Sequence, residues 1–195
     1  MAYRAIGLYN TDVVTKPLLL GQIGRQTLTE AQAVAADTNG LLETTALPTG
    51  AAANYTTFVN DMPYARTVTA VCSAAQTGNM VITGTNIDGV AISETIALTS
   101  DTPVESTKAF KTVTNINLPV KAGSETIIVG WGDKVGLLFK LTAAAKDRPI
   151  IEATLDGVIE ATAPTITADA DELEKNLIDL DSSLNGKEVC IYYLL

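Results

Sequence analysis

From Ala65 onward apolar and polar residues alternate with a period of two, the pattern of half-buried strands. Arg66-Thr67-Val68-Thr69-Ala70-Val71-Cys72 makes the first run, and Gly78-Asn79 turns the chain. Met80 to Ile87 leads into Asp88-Gly89, and Val90 to Leu98 leads out. Asp-Gly between two such runs predicts a hairpin, because both turn residues must accept a positive φ. A two-residue turn at 88–89 pairs Ile87 with Val90, Thr85 with Ile92, Thr83 with Glu94 and Val81 with Ile96. One face then gathers Val81, Ile87, Val90, Ile92 and Ile96, and a one-residue slip would scatter them.

Further strands follow at short intervals. Lys108 to Ile116 is one, ending near Leu118-Pro119, and Glu125 to Val129 is another, stopping at Gly130-Trp131-Gly132. Lys134 to Thr142 places Val135, Leu137, Phe139 and Leu141 on one face. A second Asp-Gly, Asp156-Gly157, joins Ile150–Leu155 to Val158–Thr162, and Asn185-Gly186 precedes a closing run from Glu188 to Leu194. Antiparallel strands with turn chemistry every 8 to 12 residues predict an all-β fold, a β-sandwich or jelly-roll-like barrel.

The first 60 residues lack that regularity and read as an extended N-terminal arm with at most one short helix. Thr27-Leu28-Thr29-Glu30 has capping-box spacing, which predicts two helical turns over Ala31–Ala36, closed by Asn39-Gly40. Ile6, Leu8, Leu18, Leu19, Leu20 and Ile23 must be buried against this chain's own sheet or a neighbouring molecule, which makes them the candidate partner-binding residues. The expected organisation is an arm and loop region over 1–60, a β-sandwich core over 61–145, and a C-terminal hairpin, acidic loop and closing strand over 146–195.

Composition narrows the chemistry. The chain has 195 residues, with 13 Lys+Arg against 22 Asp+Glu and a formal charge of -9, so a grip on nucleic acid by phosphate neutralisation is not expected. Histidine is absent, which removes Ser-His-Asp and Cys-His catalysis, His-ligated metals and a histidine pH switch. Two cysteines, Cys72 and Cys190, are too few for a disulfide framework or a four-Cys metal site and read as reduced thiols in strands. The apolar runs are far short of a membrane span, and the N-terminus lacks the basic-then-apolar pattern of a signal peptide. The 27 threonines, with valine and isoleucine, favour strands.

Each remaining motif has a plain structural reading. Gly130-Trp131-Gly132-Asp133-Lys134-Val135-Gly136 resembles a dinucleotide fingerprint, but its spacing is one residue too long and a strand follows where a helix is needed. A glycine-rich turn between two strands is the expectation. Asp169, Asp171, Glu172 and Glu174, with Asp179 and Asp181 behind, lack the glycine and ligand spacing of an EF-hand and read as a solvated acidic loop. Asn54-Tyr55-Thr56 is a glycosylation sequon, meaningful only in a secretory host. Tyr192-Tyr193 reads as one ring in the core and one at its edge, since no basic residues flank it for base stacking.

From Asn79 to Pro119 the sequence resembles β-rich virion structural proteins of tailed bacteriophages. The residues concerned are Val81-Ile82-Thr83-Gly84-Thr85-Asn86-Ile87-Asp88-Gly89, Ser93-Glu94-Thr95-Ile96 and Ser106-Thr107-Lys108-Ala109-Phe110-Lys111-Thr112-Val113-Thr114. Val129 to Leu137 is similar to the same group, and the likeness covers roughly 60–145. Such proteins include capsid decoration (cement) proteins and head fibres. The resemblance implies a non-catalytic protein without cofactors, located on the virion, whose partners are the major capsid protein and copies of itself, as a compact boss or a trimer. It implies no nucleic-acid, membrane or small-molecule partner. Two alternatives stand beside it: a head-fibre, neck or tail component, and a carbohydrate-binding β-sandwich assisted by calcium at Asp169, Asp171 and Glu172.

Overall fold

The computed structural model describes residues 23–74, 76, 78–99, 102–141 and 150–194. Fourteen strands account for the described fold. In chain order they are β1 (Ile23–Leu28), β2 (Asp37–Ala46), β3 (Ala53–Tyr55), β4 (Arg66–Cys72), β5 (Asn79–Thr85), β6 (Ala91–Ala97) and β7 (Val104–Phe110). There follow β8 (Thr112–Leu118), β9 (Thr126–Gly136), β10 (Ile150–Leu155), β11 (Val158–Ile159), β12 (Thr165–Thr167), β13 (Leu177–Asp179) and β14 (Val189–Leu194). A single 3-10 turn, Leu173–Lys175, is the helical element among the described residues, and no helix there is long and apolar enough to cross a membrane. The fold is all-β, as the alternation predicts.

Three antiparallel sheets, ordered β1-β14-β10-β11, β12-β13-β9-β4-β7 and β3-β8-β5-β6, build two cores. The first core lies between the second and third sheets: Val68, Ala70, Cys72, Ile127, Val129 and Trp131 meet Met80, Ile82, Ile92, Ile96, Ile116 and Leu118. The second lies under the first sheet, where Leu28, Val189, Ile191 and Tyr193 meet Val135, Leu137, Leu177 and Ile178. Strand β9 serves both. Its odd-numbered residues Ile127, Val129 and Trp131 enter one core and Val135 the other, with Asp133 between them. Along its other edge β9 takes β2 first and β13 later, while β4 runs beside it throughout.

Several expectations need correction. Residues 23–60 are not an arm: β1 pairs with β14, β2 with β9 and β3 with β8. No helix forms at 31–36. Gln32 and Ala33 donate to the Thr29 carbonyl, and the Gln32 side chain accepts from the Thr29 N–H, making one turn. Beyond that turn the segment is held by distant parts of the chain: the Ala33 carbonyl accepts from Gly186 N–H at 2.8 Å, and those of Val34 and Ala35 from Arg66 Nη1 at 2.6 Å and Trp131 Nε1 at 3.1 Å.

The β5–β6 hairpin exists, but slipped by one residue: Thr85 pairs with Ala91, Gly84 with Ile92 and Met80 with Ile96. The cause is Asn86. Its N–H donates to the Val90 carbonyl, Gly89 N–H returns to the Asn86 carbonyl, and its side-chain Oδ1 accepts from the N–H groups of Asp88 and Val90. The loop is therefore three residues, with Gly89 at φ 79°, the type I turn plus left-handed residue that ranks next after two-residue loops. Met80 and Ile82 consequently enter the core in place of Val81 and Ile87.

Two predicted breaks also move. The run at Lys108–Ile116 bends at Lys111, so β7 joins β4 while β8 crosses to β5, with Lys111 N–H held by the Thr85 carbonyl at 2.7 Å. Gly130-Trp131-Gly132 is not a turn: β9 passes straight through it and ends at Gly136. Of the strand expected over Lys134–Thr142, only Lys134–Gly136 are in a strand and residues 137–141 are not, Thr142 lying outside the described residues. Glycine is required there by close approach, since a Cβ on Gly130 would sit 1.8 Å from the Asp37 carbonyl oxygen. The β10–β11 hairpin is as expected at its turn, with Asp156 and Gly157 at φ 55° and 73°, although β11 ends at Ile159.

Candidate interaction surface

Exposed apolar area is concentrated on one sheet. Of the eight large apolar side chains exposed among the described residues, Ile23 (65%), Ile151 (52%), Val158 (69%) and Ile159 (62%) belong to β1, β10 and β11. Alternation sorts the sheet's two faces. Gly24, Gln26 and Leu28 point inward with Tyr193, Ile191 and Val189, while Arg25 and Thr27 share the outer face with Tyr192 and Cys190. Register extends the outer rows: Arg25, Tyr192 and Glu152 form one, and Thr27, Cys190, Thr154 and Ile159 the next.

Local contacts fix these side chains. The Arg25 guanidinium lies over the Tyr192 ring at 5.9 Å, a cation–π placement, and its Nε donates to Cys190 Sγ at 3.5 Å. Partial burial pushes the Cys190 thiol up, but hydrogen bonds from Arg25, Tyr192 and Thr27 outweigh it and hold the thiol below its ordinary value. Gln26 anchors the sheet from beneath, donating to the Gly136 carbonyl at 2.9 Å and accepting from Leu138 N–H at 3.2 Å. That buried amide does the work of a strand pairing between β1 and the end of β9. Tyr193 is fully buried and its phenol pushed up to about 12 by that burial, whereas Tyr192 stays at the edge, the division expected of the pair.

Of the six predicted partner-binding residues, Ile23 stands exposed at the start of β1; Ile6, Leu8, Leu18, Leu19 and Leu20 lie outside the described residues. Ile151, Val158, Ile159 and the Arg25–Tyr192–Glu152 row escaped the sequence reading. A signal existed in Ile150-Ile151 and Val158-Ile159, since adjacent apolar residues in a strand cannot both face the core.

The acidic loop is organised from within. Asp169 Oδ1 accepts from the N–H groups of Asp171 and Glu172, each at 2.8 Å, and these bonds hold its carboxyl below the ordinary range. Glu172 and Glu174 both take Lys108, at 3.4 and 3.3 Å, and Glu172 also pairs with Lys175. The fully buried Asn176 amide donates to the carbonyls of Asp169 and Glu172 and accepts from Leu141 and Asp169 N–H. Among the described residues, no three acidic or cysteine side chains converge as a metal site.

A second charged group lies on the sheet containing β9. Glu105 accepts from the Thr67 hydroxyl and pairs with Lys134, both at 2.5 Å. Desolvation raises the Asp179 carboxyl, with Lys134 opposing and Asp133 and Glu105 reinforcing. Cys72 is buried and Cys190 half-buried, both free, and Asn54 of the sequon accepts from the amides of Asn115 and Asn117. One surface cleft of about 380 Å³ runs between the β10–β11 turn and residues 182–187, with Val158 and Ile159 in its wall. No family model matches the chain, and no curated protein or solved structure matches it.

Proposed function

We propose that the chain is a non-enzymatic structural protein of a tailed-phage particle, a decoration or cement protein that binds the outside of the head and stabilises capsomer junctions. Its partners are the major capsid protein and copies of itself. The observation that carries this reading is the exposure of Ile23, Ile151 and Ile159 on the β1-β14-β10-β11 sheet, because exposed apolar surface on one element marks sites of association. The resemblance of residues 60–145 to phage virion proteins supplies the setting. In sequence, the first strand of that sheet follows Leu18-Leu19-Leu20 after two intervening residues, Gly21-Gln22.

The test is binding to purified heads that lack the protein, scored by co-sedimentation and by imaging. Decoration gives signal over the whole head; signal at one vertex would assign a neck or tail position. The informative truncation removes residues 1–22, since cutting to Arg25 would take half of β1. Loss of head binding with an unchanged circular dichroism spectrum is expected, and undiminished binding removes the arm from the mechanism.

A further inference from the structure

We propose that the outer face of the β1-β14-β10-β11 sheet is a two-fold interface between two copies of this chain, with β14 lying along the axis. The inference rests on the reading above that the protein assembles with itself, and it names the surface used. Strand order supplies the argument. Tyr192 sits in the middle strand of the row, with Arg25 one strand to one side and Glu152 one strand to the other. A two-fold axis parallel to β14 lays β1 of one copy over β10 of the other. Arg25 of each copy then meets Glu152 of its mate, giving two equivalent ion pairs around stacked Tyr192 rings. The same operation sets Thr27 over Thr154, brings Cys190 opposite Cys190, and carries Ile23 to the end of β10 that bears Ile151.

Self-complementarity of this kind is what an isologous contact demands, since one patch must serve as both halves of the joint. Charge favours it as well. Each copy carries a formal charge of -9, so copies repel, and the two Arg25–Glu152 pairs offset part of that repulsion on this face, where Arg25 also lies near the exposed Glu188. Aligned sheets pack about 10 Å apart within about 30° of parallel, which lets long side chains such as Arg25, Glu152 and Tyr192 interdigitate.

The experiment is sedimentation velocity on the full chain in moderate salt, across a micromolar concentration series. Wild type should run as a dimer. Arg25→Glu and Glu152→Arg should each weaken dimerisation at least about tenfold, and the swapped double variant R25E/E152R should restore it, because the pairing is reciprocal. A bismaleimide spanning roughly the sheet spacing of about 10 Å should link two chains through Cys190, and Cys190→Ser should abolish the link. All three side chains are on the outer face, and circular dichroism confirms that each variant is folded. A monomeric or trimeric wild type, or a double variant as weak as the single ones, overturns the proposal. Head binding is scored separately: dimers that ignore heads refute the decoration role alone, and monomers that bind heads refute the interface alone.

Discussion

Arg66 and Asp133 form an ion pair at 3.2 Å between the two hydrophobic cores, with the guanidinium completely buried. Both residues stand on the core-facing side of their strands, where Val68 and Trp131 belong to one core and Val135 to the other. Desolvation lowers the Arg66 pKa to about 10 while Asp133 opposes that fall, and Arg66 Nε has no hydrogen-bond partner. The pair is a polar partition rather than a source of net stability.

Removing one partner strands the other. Asp133→Ala should cost about 3 kcal/mol in urea unfolding, the low end for breaking a buried pair because Asp133 retains some solvent contact. The double variant Arg66→Met with Asp133→Leu should lie within about 1 kcal/mol of wild type. Equal losses in the single and double variants would show that the pair itself contributes the stability.

Glu94 closes a gap between two sheet edges. Its carboxylate accepts from the backbone N–H groups of Thr107 and Lys108 at 2.7 and 3.0 Å and from the Thr107 hydroxyl at 2.9 Å, joining β6 to β7 where no ladder runs. Glu94→Ala should cost about 1.5 kcal/mol, the lower value for bonds to a charged acceptor, since Thr107 is exposed enough for water to take its N–H. Amide exchange at Thr107 and Lys108 should accelerate while that at β9 does not. Unchanged protection at both amides would deny the clamp.

Two glycines should respond differently to alanine. Gly130→Ala drives a methyl into the Asp37 carbonyl and should cost about 3 kcal/mol or more, by overpacking against backbone. Gly50 has open space around it but φ 82°, so Gly50→Ala should cost about 1 kcal/mol from the left-handed conformation alone. Chemical denaturation of the two variants checks the ranking.

Asp179 should make the protein less stable at neutral pH than it would be without the charge. Its folded pKa is raised by desolvation, so the folded state holds the proton more tightly. The associated stability is complete below the ordinary aspartate pKa and is lost as pH rises through the folded value. Asp179→Asn should therefore raise the melting temperature slightly at pH 7, by less than about 1 kcal/mol in free energy because the carboxylate is partly solvated, and give no gain near pH 3. Asp169 has the opposite sign: its folded pKa is depressed by the Asp171 and Glu172 N–H groups, so its contribution is present above the ordinary value and lost on acidification.

Local chemistry was legible in the sequence where it decided the structure alone. Asp156-Gly157 specifies its turn because both residues take positive φ, and the alternation of β4 names Val68, Ala70 and Cys72 as core. The reading failed where a side chain elsewhere intervened. Asn86 lengthened its own loop and flipped the parity of β5; Val34 and Ala35 gave their carbonyls to Arg66 and Trp131, which lie 32 and 96 residues away. Gly130 and Gly132 looked like punctuation, yet they are places where neighbouring segments press against a continuous strand. The outer face was illegible for the same reason, since Arg25 and Cys190 are 165 residues apart and only register brings them together.

Because one unbroken strand, β9, lines both cores, neither half can lose its packing without releasing a wall of the other. The molecule should therefore melt in a single cooperative calorimetric transition, its two lobes thermally inseparable despite the charged seam between them.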